Sequence, residues 1–240
     1  MIKEALKYII DLSKPTIEGI DGQVYSDKPL HRIKHNPKAE PIKMNTLTSL
    51  IEYLKVGVDI PNQLMFVHIQ SPTRVSVYSA LDKERDREYL VEVNAQLPAF
   101  NFDRFIDHEE FCINLQSKFL DTPDRALLLK FAGTVEAGSI AEYGDDGVSQ
   151  KATVKTGITS KGDALIPSPV SLIPYRTFVE VEQPESSFIF RMKQDQYKNG
   201  GVQCALFEAD GGAWKNAAMH SIKQYLQIAL AEFVDFVIIS

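Results

Sequence analysis

The densest group of side chains suited to acid–base or metal chemistry lies between residues 103 and 110. It contains Asp103, Asp107, His108, Glu109 and Glu110. Carboxylates beside a histidine could bind a divalent metal or act as a general acid–base pair. The same residues suit a helix start, because the exposed N–H groups there stabilise carboxylates. The helix start is the simpler interpretation, so we assign no catalytic residue and no metal ligand.

A basic stretch is the first candidate site for an anionic ligand. It contains His31, Arg32, Lys34 and His35, whose donors could bind a phosphate through charge-assisted hydrogen bonds. A solvated surface loop is the alternative interpretation. We keep these four residues as candidate ligands for a small molecule.

Gly211 and Gly212 form the second candidate anion site. They precede a predicted helix whose first N–H groups could bind an anion. No Lys-Ser or Lys-Thr pair follows them, so they do not form a nucleotide-hydrolysing loop, and a flexible turn is the alternative.

The chain lacks a Gly-x-Ser-x-Gly motif, and Cys112 and Cys204 lie in apolar patterns. These observations argue against an enzyme and imply no cofactor.

Composition restricts the class of protein. A chain of 240 residues with 44% hydrophobic residues can form one domain with a substantial core. A net charge of −6 argues against a surface dedicated to nucleic acid. The longest apolar tract, residues 222–239, contains too many charged and amide side chains to span a membrane. No secretory signal is visible, so we expect a cytoplasmic protein.

Hydrophobic spacing predicts both helices and strands. Helical spacing occurs over residues 2–12, 47–54, 109–120, 127–131 and 214–233. Alternating or apolar runs predict strands over residues 64–70, 74–81, 88–95, 150–159, 170–173, 175–181, 187–193 and 202–208. We therefore expect an α+β fold with mainly antiparallel sheets, flanking helices and a C-terminal amphipathic helix.

We expect a single domain over residues 1–240 that contains two irregular segments. Residues 14–43 contain four prolines and predict an extended arm. Residues 133–150 contain four glycines and several acids but no Lys or Arg. That composition predicts a mobile loop, which could serve as a hinge, or a connector between helix and sheet.

The apolar tail of the chain is a candidate oligomer interface. It contains Phe233, Phe236, Val237, Ile238 and Ile239. Burying each such side chain is worth about 1.5–3 kcal/mol, so exposure to water would be costly. Burial inside the same subunit would remove this argument. Otherwise a symmetric homo-oligomer is the simplest use of the tail, and the arm could exchange between subunits.

The order of elements resembles the YfdQ-like family, a family of unknown function encoded by tailed phages and prophages. The similarity is one of pattern over most of the chain. It includes the helix that begins at Thr46-Leu47, the Ser71-Pro72-Thr73 link, Leu81-Asp82, and residues 100–129 with Phe105, Phe111, Leu115 and Asp124. The resemblance implies a phage or prophage origin and action in the cytoplasm of an infected or lysogenic bacterial host. It transfers no active site.

We therefore expect a phage- or prophage-encoded accessory protein that is non-enzymatic and acts through homo-oligomeric assembly or binding. Two alternatives stay open. One is a small-ligand, nucleotide-like binding protein in phage counter-defence, and the other is an enzyme that uses the acids between residues 103 and 110.

Overall fold

The computed structural model describes residues 2–29, 38–61, 63–137, 139–145, 150–156, 160–165, 168–194 and 201–240. The helices are α1 (Ile2–Ser13), α2 (Leu47–Val56), α3 (His108–Lys118), α4 (Pro123–Ala137) and α5 (Ala213–Ala229). The strands are β1 (Ile17–Ile20), β2 (Gln23–Ser26), β3 (Ile42–Met44), β4 (Met65–Ser71), β5 (Arg74–Ser79), β6 (Tyr89–Asn94), β7 (Ile106–Asp107), β8 (Ser139–Asp145), β9 (Gln150–Thr156), β10 (Ser160–Leu165), β11 (Val170–Leu172), β12 (Ser186–Gln194), β13 (Val202–Glu208) and β14 (Phe236–Ile239). The fold is α+β, as predicted. Within the described residues, no helix combines the length and the apolar character that a membrane crossing needs.

The chain divides into two compact units, Met1–Lys38 and Ala39–Ser240. The first unit contains α1 and the antiparallel hairpin of β1 and β2. Every residue of these three elements is exposed to solvent. The predicted arm therefore contains a hairpin. Local spacing could not reveal the division, because units are defined by contacts between residues distant in sequence.

In the second unit, a five-stranded sheet has the order β14-β4-β5-β6-β3. Its central strands are antiparallel, whereas β14 and β3 run parallel to their neighbours. Helices α2 and α5 contribute Leu50, Leu54 and Leu226 to the core that covers one face of this sheet. Val67 and Val91, from β4 and β6, complete the centre of this first core.

Helix α2 shows why the sequence forms this layer. Leu47, Leu50, Ile51 and Leu54 recur at helical spacing, and all four are buried. The Thr46 side chain accepts the N–H of Ser49 in the first turn of the helix, which is the usual role of an N-cap. The helix ends at Gly57, which has a φ of +68° that glycine adopts at low cost.

A four-stranded sheet forms the second core of the same unit, in the order β11-β12-β13-β7. β12 and β13, which cover the strands predicted over residues 187–193 and 202–208, pair antiparallel. Phe111 and Leu115 of α3 and Leu128 of α4 pack against Phe190 and Leu206 of these strands. The alternation of apolar residues along β12 and β13 therefore selects one face for burial.

Helix and strand occupy most of the segment for which the sequence predicted a loop. α4 continues to Ala137, and β8 covers residues 139–145. β8, β9 and β10 form a three-stranded antiparallel sheet. Pairing with the next strand, β9, supplies the backbone hydrogen bonds of β8, which its glycine-rich and acidic composition did not indicate. Residues 146–149 of the predicted loop lie outside the described ranges.

The apolar tail is incorporated into its own chain. β14 pairs with β4 at the edge of the five-stranded sheet. Phe233, Phe236 and Ile238 pack against the first core. Val237 and Ile239 alternate with them and are half-buried. The tail therefore no longer supports the argument that these five residues need a second subunit.

Candidate functional site

The loop between β11 and β12, residues 173–185, connects the two cores and is called the junction loop below. Phe178 of this loop is buried in the first core. The Thr177 hydroxyl donates to the carbonyl of Pro72 at 2.6 Å. The sequence prediction of a strand over 175–181 was wrong, because side chains rather than a strand ladder hold this backbone.

Gln183 fixes the conformation of the junction loop. Its side chain is buried, with 6% of its surface exposed. The Oε1 atom accepts the backbone N–H groups of Arg176 at 2.9 Å and Thr177 at 3.1 Å. The Nε2 atom donates to the carbonyl of Phe178 at 2.9 Å. These bonds satisfy polar groups that would otherwise be buried without partners. They also fix the position of the Arg176 backbone, from which the side chain extends.

Arg176 is the buried cation of the junction. Its side chain is only 7% exposed. Nη1 donates to Glu208 Oε1 at 2.5 Å, and Nη2 donates to the Ser186 hydroxyl. Burial lowers the pKa of Arg176 from its usual value, and the carboxylates of Glu208 and Asp210 oppose that shift. The ion pair therefore joins the junction loop to the ends of β12 and β13.

Three aromatic rings surround the Arg176 guanidinium. Its Cζ atom lies 4.2 Å from the centroid of the Trp214 ring, 5.3 Å from that of Phe188 and 5.4 Å from that of Phe102. Phe102 and Phe188 are stacked, with an interplanar angle of 13°. These distances are within the range of cation–π attraction. The rings hold the guanidinium in place without adding negative charge.

A cavity of about 190 Å³ opens beside this group. We call it the junction cavity. Its lining consists of Leu97, Pro98, Phe100, Phe102, Lys118, Pro174, Tyr175, Arg176 and Trp214. The lining is mainly apolar and aromatic and includes two cations but no carboxylate, a combination typical of small-molecule sites. Lys118 donates to the carbonyl of Ala99 and so is held at the rim.

The start of α5 positions Trp214 at the cavity. Asp210 Oδ1 accepts the backbone N–H of Gly212 at 2.9 Å. Burial raises the pKa of Asp210, but hydrogen bonds from Ser186, Gly212 and Trp214 and the charge of Arg176 outweigh burial and lower the pKa below its usual value. The Asp210 carboxylate therefore accepts hydrogen bonds from N–H groups at the start of α5 and lies near the buried Arg176 guanidinium.

Of the two anion sites proposed from sequence, only the one at Gly211 and Gly212 lies within the described residues. Gly211 and Gly212 have φ values of +62° and +80° and form the turn into α5, next to the junction cavity. The Gly212 N–H is engaged by Asp210. His31, Arg32, Lys34 and His35 lie outside the described residues. Binding of an anion at either place stays a prediction.

The acidic group between residues 103 and 110 forms a helix start and a turn. Asp107 is the N-cap of α3, and its side chain accepts the N–H of Glu109 at 3.0 Å. Asp103, at a φ of +62°, accepts the N–H of Glu208 at 3.2 Å. His108 is buried, with Nε2 3.1 Å from the carbonyl of Ala132. Among the residues whose placement is described, no group of three or more His, Cys, Asp or Glu could hold a metal ion.

Sequence reasoning missed Arg176, Trp214 and Lys118 as site residues. They lie far apart in the sequence and carry no shared motif. One signal was available: Trp214 is the only tryptophan of the chain and lies two residues after Gly212. A single large aromatic residue beside a helix start could have directed attention to this end of α5.

No protein-family model, curated protein or solved structure matches this chain. The resemblance to the YfdQ-like family therefore stays a prediction from the pattern of the sequence.

Proposed function

We propose that this chain is a non-enzymatic phage or prophage accessory protein that binds a small molecule in the junction cavity. The single observation that carries the proposal is the cavity itself, an apolar and aromatic recess beside a buried arginine. Such recesses bind small molecules through apolar contact and a few fixed polar groups. The phage origin and action in the host cytoplasm depend on the sequence resemblance alone.

Binding fits the cavity better than catalysis. Arg176 is held by Glu208 and Ser186, and Lys118 is held by Ala99. Groups fixed in this way can orient a ligand without moving. A general acid–base reaction would instead need a group with a pKa adapted to proton transfer at the ligand.

Native mass spectrometry of the full chain purified from a bacterial host tests this proposal. We expect a small molecule to be retained by the wild-type protein. Leu97→Phe enlarges a side chain at the cavity wall and should abolish retention, whereas Leu127→Phe, at a position that is 50% exposed, should leave it unchanged. Retention that Leu97→Phe does not alter would place the ligand elsewhere, and the proposal would then be wrong.

Homo-oligomeric assembly is the second candidate function, and the first unit favours it. Ile2, Leu6, Ile9 and Ile10 of α1 are each more than half exposed. Contiguous apolar surface of this kind is characteristic of association sites. Sedimentation velocity should show that Leu6→Ser with Ile9→Ser reduces the subunit number, while Lys7→Ser on the polar face does not. A wild-type monomer at all concentrations would contradict assembly.

A further inference from the structure

The ionisable groups around the junction cavity indicate the sign of charge that it accepts. Lys118 and Arg176 are the two lining residues that carry charge at neutral pH. The charge of Arg176 is already balanced by Glu208, at 2.5 Å, and by the nearby Asp210. Lys118 contacts a neutral carbonyl, that of Ala99. Lys118 is therefore the cation of the lining that remains to bind an anionic ligand.

Two of the lining residues, Arg176 and Trp214, also carry buried hydrogen-bond donors. Arg176 Nε and Trp214 Nε1 are buried, and neither has an acceptor among the residues that the structure describes. A buried donor without an acceptor is costly, by about 1–3 kcal/mol. A ligand oxygen placed against this wall could supply the acceptor. The arrangement favours a ligand with acceptor oxygens over one with donor nitrogens.

The remaining lining determines the shape of the ligand. Phe100, Phe102, Tyr175 and Trp214 present aromatic surface, which binds flat rings by stacking or edge contact. The volume of about 190 Å³ is below the roughly 300–1,000 Å³ of sites for drug-sized ligands. The cavity therefore suits a single ring or the ring portion of a larger molecule.

We propose that the junction cavity selects a flat aromatic ring bearing an anionic oxygen group, which Lys118 binds at the rim while the ring lies against Trp214. This inference rests on the proposed function, since it names the class of ligand for the same cavity. The anionic group could be the carboxylate of an aromatic acid or the phosphate of a nucleotide-like molecule. Both would present oxygen acceptors to the same donors.

Trp214 provides a direct readout, because it is the only tryptophan of the chain and lines the cavity. Its fluorescence is titrated with four probes: benzoate, phenyl phosphate, neutral benzamide and cationic benzylamine. We expect benzoate or phenyl phosphate to bind at least about tenfold more tightly than the other two, as loss of a charge-assisted hydrogen bond costs about that factor. Whichever of the two anions binds more tightly identifies the anionic group of the ligand as a carboxylate or a phosphate.

Lys118→Met removes the charge and keeps the length of the side chain. It should reduce the affinity for the anion to that for benzamide, while Lys43→Met on the exposed strand β3 leaves all four affinities unchanged. Circular dichroism confirms that both variants are folded. Equal or tighter binding of benzamide or benzylamine overturns the charge inference and leaves the proposed function standing. If none of the four probes changes the fluorescence, the charge inference is also overturned. The proposed function is tested separately, by whether wild type and Leu97→Phe retain a ligand.

Discussion

Glu180 Oε1 accepts the backbone N–H of Leu47 at 2.8 Å, so a junction-loop carboxylate caps α2 from a distant part of the chain. The same oxygen accepts the N–H of Thr48 at 3.3 Å. These N–H groups belong to the first turn, which has no partners within the helix. A carboxylate here also interacts favourably with the positive end of the helix dipole.

Replacing Glu180 should therefore destabilise the whole second unit. We expect Glu180→Ala to lower the free energy of unfolding by about 1 kcal/mol, the usual value for a lost cap. Urea denaturation measures the difference. Glu182→Ala, two residues away at an exposed position, is the control and should change stability little. Equal effects of the two changes would show that the Glu180 contact contributes nothing.

The Arg176–Glu208 pair provides a second prediction. Glu208→Gln keeps the shape of the side chain but leaves the buried guanidinium with a weaker counter-charge. Breaking a fully buried pair costs about 3–5 kcal/mol. Because Glu208 is 30% exposed and Asp210 remains nearby, we expect Glu208→Gln to lower the free energy of unfolding by about 2 kcal/mol. Glu110→Gln, at an exposed position on α3, serves as the control in the same denaturation experiment.

Asp210 makes the stability of the protein depend on acid pH. Its pKa is lowered in the folded protein, so the folded state favours the charged carboxylate. This contribution is fully present above the ordinary pKa of 3.8 and is lost as the pH falls through the lower folded value. We expect the free energy of unfolding of Asp210→Asn to fall less steeply than that of wild type as the pH drops below about 4. The exposed Asp235→Asn should keep the wild-type slope in the same acid titrations.

The alternation of the tail residues gives a matched pair of substitutions. Ile238 packs against the first core, whereas Ile239 lies on the other face of β14. We expect Ile238→Ala to cost about 2 kcal/mol in thermal or chemical unfolding, because it leaves a cavity. Ile239→Ala should cost clearly less. If association through the tail were its main role, the subunit number would fall in both variants while monomer stability stayed the same.

The elements with strong local patterns were predicted closely. β13 covers residues 202–208, as alternation indicated, and α2 (Leu47–Val56) covers the helical spacing predicted over residues 47–54. In both, the pattern within one segment already identifies the buried face. The fold class followed from the order of such segments, and the structure confirms it.

The junction could not be predicted in this way. Arg176 lies in a segment whose apolar residues suggested a strand, yet its position depends on Gln183 and on Trp214 in another element. Contacts between distant segments leave no periodic signal in one sequence. The described candidate site is therefore a product of tertiary packing.

The parallel pairing of β14 with β4 also determines when the five-stranded sheet can be completed. Met65 and its neighbours are synthesised long before residues 236–239, and α5 must also be in place to cover the same core. A ribosome-bound chain that has exposed only the first two thirds of this sequence therefore presents one open edge of β4 and an uncovered apolar face. Such surfaces bind other unfinished chains and chaperones. The sheet is thus completed only after residues 236–239 have left the ribosome, by a contact between segments that are far apart in the second unit.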